Sequence, residues 1–188
     1  MTVLRSVIAV VLVPCVLLGI LAACGSVPRT QRDISALYNP SDLNLAASRG
    51  TVPVVVFDGA DGGLASAPLQ QAAVAALQSG TTTDADFTAV PQAPSAGYKV
   101  VMLFNGPWVT GDALCRTTTA PTARSAETMA SMHLMAAFCS DQRMLTEVEG
   151  FTDGVESADD PQLRSLLRQA AFDLFPARDA GIHDVRPE

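Results

Sequence analysis

The sequence predicts an α+β fold, a β-α-β-β-β-α two-layer sandwich with a mostly antiparallel sheet and two helices on one face. Three observations predict it. Thr51–Phe57 and Tyr98–Phe104 are nearly continuous apolar runs rich in valine, which suit buried strands. Residues 161–174 carry leucine and alanine at helical spacing. Between them, residues 129–150 read as two extended segments around a short polar turn.

The chain opens on a segment that does not belong to this domain. Arg5 is the one charge in Met1–Ser6, and residues 7–23 follow without any charge. A short basic region followed by an apolar core is the layout of a secretory signal. A spanning helix needs about 20 apolar residues, and this run is shorter and interrupted by Pro14 and Gly19. Residues 1–23 are therefore expected to be removed. Losing Arg5 with them takes the net charge from −7, set by 12 basic and 19 acidic residues, to −8. A chain this acidic, with Lys99 as its single lysine, lacks the basic face that nucleic-acid phosphates require.

The run ends in Leu21-Ala22-Ala23-Cys24, followed by Gly25-Ser26. This resembles the lipobox of bacterial lipoproteins. The resemblance implies that the Cys24 thiol receives a diacylglycerol, that the peptide before it is cut, and that the new amine is acylated. Small residues at 22 and 23 leave the backbone open to a peptidase, and a thiol is a good nucleophile for the thioether bond. Each buried lipid methylene contributes about 0.8 kcal/mol, so two or three acyl chains would hold a domain on a membrane. Gly25 and Ser26 are not the aspartate associated with inner-membrane retention, which favours the outer membrane over the inner one.

Residues 24–50 lack strong apolar periodicity and contain Pro28, Asn39 and Pro40, so they read as a lipidated tether with room for a short ordered stretch. The domain is expected at 51–176. Its first strand, Thr51–Phe57, carries Pro53 near its start, which points to an edge there. Asp58–Gly63 ends the strand as a turn. A helix is predicted over Pro68–Gln78, with Ser66 as its cap and Ser79-Gly80 as its stop. Residues 80–97 read as loop, Tyr98–Phe104 as a central strand, and 105–127 as irregular chain.

Met129–Phe138 is ambiguous. Ala130, Met132, Leu134, Ala136 and Phe138 alternate as in a strand, while alanine, methionine and leucine favour helix. The strand is chosen because Met144–Gly150 resumes an extended pattern right after the Cys139–Arg143 turn and needs a partner. Asp160-Pro161 then supplies a cap and a first-turn proline for the last helix. Phe175-Pro176 ends it, and 177–188 is a polar tail. This element order resembles the small periplasmic lipoproteins of lipopolysaccharide assembly, curli secretion and transporter-auxiliary type. The resemblance implies a fold and brings no functional residue with it.

Few residues suggest chemistry. With Cys15 in the signal and Cys24 lipidated, Cys115 and Cys139 remain. In an oxidising compartment such a pair forms a disulfide, with free thiols as the alternative. His133 reads as a structural histidine. An extended strand would separate it from Cys139 by about 20 Å, beyond any nucleophile–base contact. His183 falls in the tail. Asp58–Gly63 has neither phosphate-loop nor calcium-loop spacing. Serines 125, 131 and 140 have no hydrolase setting, and Glu147 and Glu149 are expected on a solvated strand face.

No catalytic, cofactor-binding or metal-binding residue is assigned, and no cofactor is expected. The sequence favours a non-enzymatic domain, attached to the membrane through lipid on Cys24, that binds an envelope protein. The alternative is a small-ligand or lipid-binding lipoprotein with a groove between the sheet and Leu69–Leu77 or Leu163–Leu174. A periplasmic hydrolase comes third.

Overall fold

A strand with almost no polar side chain must be covered on both faces, and two such strands set the middle of this molecule. A computed structural model describes residues 27–60, 62–121 and 131–177. Its elements are β1 (Arg29–Ile34), α1 (Asp42–Ser48), β2 (Val52–Asp58), β3 (Gly63–Leu64), α2 (Ala67–Gly80), β4 (Phe87–Ala89), β5 (Tyr98–Phe104), α3 (Gly111–Arg116), β6 (Ser131–Ser140), β7 (Arg143–Asp153) and α4 (Pro161–Leu174). The strands form one seven-stranded sheet in the order β1-β7-β6-β5-β2-β3, with β4 also paired to β2.

The α+β expectation holds, and the six predicted elements occur in the predicted order as β2, α2, β5, β6, β7 and α4. Strands β2 and β5 pair in parallel through the α2 crossover, and β5–β6, β6–β7 and β7–β1 are antiparallel. The ambiguous segment is a strand. Leu134–Cys139 are buried on both faces, so the alternation seen in sequence carries no solvent side there. Asp160 caps α4 as expected, accepting from the Gln162 amide at 2.7 Å. Ser66 sits at the α2 cap position, but its hydroxyl makes no capping bond.

One face of the sheet packs on α2 and α4. Leu69, Ala73 and Leu77 of α2 meet Leu163, Leu166, Leu167, Ala170 and Leu174 of α4 above Val54, Val100, Met102 and Phe138. These side chains fill the space in which a ligand groove was expected, because the apolar faces of both helices are spent on the sheet.

The second face holds a smaller core of Val55, Phe57, Val101, Leu103, Met135 and Ala137, covered by Leu114 and Cys115 of α3. The two predicted helices share the first face as expected, and α3 adds a short helix on the second. Six residues are too few for a helix to stand by its own hydrogen bonds. Here Thr110 caps it by accepting from the Ala113 amide, and a Cys115–Cys139 disulfide ties it to β6.

Three stretches read as irregular contain structure. The 24–50 tether includes β1 and α1, 105–127 includes α3, and 80–97 includes β4. Strand β1 adds to β7 through main-chain hydrogen bonds along an edge where most of its side chains stay exposed. It therefore needs no apolar pattern. The three-residue β4 lies against the start of β2, where Pro53 faces Thr88, and so covers the edge that Pro53 implied. The sheet accordingly begins at residue 29, well before the predicted boundary at 51. Residues 178–188, nearly all of the predicted polar tail, lie outside the described residues, as do 1–26.

The disulfide closes a loop with a sequence separation of 24. In the chain-entropy treatment such a link stabilises by about 3 kcal/mol. The Cys115→Ser, Cys139→Ser double variant should lose roughly that amount in urea unfolding. An unchanged midpoint would mean that packing alone holds α3.

Candidate functional site

The open part of the second face lies beside α3. Register brings four residues into one row across three strands and a loop. Phe151 of β7 faces Arg29 of β1 on one side and His133 of β6 on the other. The His133 and Phe151 rings stack at 4.6 Å between centroids, and Trp108 lies against His133 at 5.9 Å. The loop after β5 holds Trp108 there. Asn105, with φ at 50°, donates its amide to the His133 carbonyl at 2.8 Å, and its side-chain oxygen accepts from the His133 amide.

Two glycines make this loop possible. A Cβ on Gly59 would lie 2.3 Å from the Gly106 Cα, and one on Gly106 would meet the Leu103 side chain at 2.4 Å. The ends of β2 and β5 can therefore approach only without side chains at these positions.

His133 Nε2 lies 3.0 Å from Glu149 Oε1, and both groups are largely buried. Glu149 is thus not on a solvated face as expected. Its carboxylate is turned inward to the imidazole, a partner two strand positions from Phe151 that linear spacing does not reveal. No described nucleophile completes this pair: Cys139, on the same strand, is committed to the disulfide.

Glu147 stands further along the same face. Its Oε2 accepts from the Gly111 amide at 2.9 Å, and Asp112 accepts from the Met144 amide at 2.8 Å, which fixes α3 against β7. Asp33, Asp112 and Glu147 line a shallow depression with Trp108 and Met144. Burial pushes the Glu147 carboxyl above its ordinary value. The Gly111 hydrogen bond opposes the rise, and Asp33, Glu149 and Asp112 add to it.

Other singled-out residues stand apart. Asp58 forms a turn, its side chain accepting from the Ala60 amide and its carbonyl from the Gly62 amide. Ser131 and Ser140 are at opposite ends of β6. Asp61, Ser125, His183 and the lipidation residue Cys24 lie outside the described residues. Lys99, which the sequence used only for its charge, is buried opposite Cys139 and donates to the Pro94 carbonyl at 2.7 Å. Burial lowers its pKa, and the neighbouring charge of Asp141 opposes that. Its placement in a valine-rich strand, on the face that α3 covers, was the available signal.

Among the described residues there is no cluster of three or more histidine, cysteine or acidic side chains suited to a metal, and no helix long and apolar enough to cross a membrane. No family model matches the chain, and no curated protein matches it. Solved structures do. The chain is similar to the PelC dodecamer from Paraburkholderia phytofirmans at 12% identity and a TM-score of 0.47, over 81% of this chain and 99% of that one. It is similar to a single-residue variant of that dodecamer at 12% identity and a TM-score of 0.45, over 78% of this chain and 96% of that one.

A carboxyl with a raised pKa favours the folded state while it is protonated. That contribution is complete below the ordinary glutamate value of 4.5 and is lost as pH rises through the raised value. Glu147→Gln, which keeps an oxygen for the Gly111 amide, should therefore melt above wild type near neutral pH, with the difference closing in acid. A thermal-unfolding difference that did not change with pH would contradict the assignment.

Proposed function

We propose that this chain is an envelope lipoprotein, held by lipid on Cys24 and facing the periplasm, whose domain serves as a non-enzymatic interaction module for another envelope protein. The observation that carries this reading is the sequence Leu21-Ala22-Ala23-Cys24, standing between an apolar leader and the first strand of the sheet. The Cys115–Cys139 disulfide supports an oxidising compartment, since such bridges persist outside the reducing cytosol. The use made of the polar groups supports a binding role. His133 is taken up by Glu149 and Phe151, and both remaining cysteines by each other, while Trp108 stays largely exposed. Gly25 and Ser26 favour the outer membrane.

Metabolic labelling with palmitate tests the anchor. Wild type should incorporate label and Cys24→Ala should not; equal labelling of the two would refute the lipoprotein reading. Site-specific crosslinking scanned over the exposed surface in intact cells should capture a protein partner, and the absence of an adduct from any surface position would count against the interaction role.

A further inference from the structure

Among the described residues, seven large apolar side chains are exposed, and four of them lie towards one end of the sheet, from Val27 at 80% before β1 at one edge, through Phe151 at 44% and Trp108 at 69%, to Leu64 at 42% at the other edge. The register explains this placement. The start of β1, the end of β7, the start of β6 and the ends of β5 and β2 all lie at this end. Leu37 and Leu45, by contrast, belong to the segment that leaves β1 at the opposite end.

This is also the end at which the chain arrives from Cys24. Arg29, the first residue of β1, is five residues beyond Cys24. Five residues span at most about 17 Å. A domain of about 140 residues has a radius of gyration of roughly 14 Å and is wider than that reach. If Cys24 carries lipid, the near end of the sheet lies within that reach of the membrane, and the far end cannot be turned towards it.

We propose that this end of the sheet, with Trp108 and Phe151 at its centre and Val27 beside the anchor, seats on the lipid surface as a second membrane contact. The proposal rests on lipidation of Cys24. Tryptophan suits the headgroup region because its ring is apolar while its N–H still finds a polar partner. Asp33 and Glu147 lie four residues along their strands from Arg29 and Phe151, although with Asp112 they line the depression that Trp108 borders, and Asp58 ends β2 at the same end of the sheet. The four-residue offset is about 13 Å along the strands. Arg29 stands in the aromatic row itself, and Asp153 ends β7 at the same rim. The seat therefore offers aromatic surface beside carboxylates and no cationic patch, and it fits a zwitterionic surface better than an anionic one.

Trp108 is the chain's only tryptophan, so its fluorescence reports on this patch alone. The full chain, made in a host that lipidates such proteins and checked for lipid by mass spectrometry, would be reconstituted into phosphatidylcholine vesicles with or without brominated acyl chains. The expected result is blue-shifted emission, quenched by the brominated chains. Phe151→Ser and Val27→Ser should each lose much of that quenching, and Leu45→Ser, at the far end, should not. Lipidated protein whose Trp108 ignores the brominated chains and stays open to aqueous acrylamide would overturn this proposal alone. A blue shift that instead followed protein concentration in detergent, without lipid quenching, would assign the patch to a second copy and overturn it likewise. Product lacking the lipid mass would overturn both the anchoring reading and this one.

Discussion

The structure depends on one constraint: β5 and β6 are buried on both faces and need two covers. The first is supplied by two 14-residue helices whose leucine faces interlock above the sheet. The second is α3, which is six residues long. It holds its position through Leu114, the Thr110 cap, two carboxylate contacts to β7 and β6 residue Cys139. A cover of that size reaches only the middle of the face. The open remainder is where the exposed aromatic row and the acidic depression occur, so the site is a consequence of how little of the second face α3 covers.

The same constraint connects compartment to fold. A helix too short to nucleate gains part of its place from the Cys115–Cys139 disulfide, a link that persists mainly in oxidising compartments. The proposed lipid anchor at Cys24 would place the domain in such a compartment. The proposed anchor and the disulfide at the centre of the sheet are consistent with one environment.

What the sequence made legible follows from burial pattern. Leu163, Leu166, Leu167, Ala170, Ala171 and Leu174 repeat at helical spacing because α4 has one buried face, and Asp160-Pro161 marks its start. The valine runs of β2 and β5 were clear because both faces are apolar. Strand β1 left no such mark, since it is bound by backbone hydrogen bonds and most of its side chains face water. The three-residue β4 and six-residue α3 are shorter than the windows over which periodicity can be read. The site was least legible. Cys115 and Cys139 could be paired by compartment and count, but the His133–Glu149 contact and the Trp108–His133–Phe151 row arise from cross-strand register and a glycine-enabled loop. Neither is a spacing within one segment.

The central claim, that the disulfide clamps α3 over the second face, is tested most directly by hydrogen exchange on oxidised and reduced protein under native conditions. Reduction should release the amides of 111–116 and of the adjoining loop that carries Trp108, while those of 161–174 in α4 stay protected. Equal protection of 111–116 in the two states would contradict it.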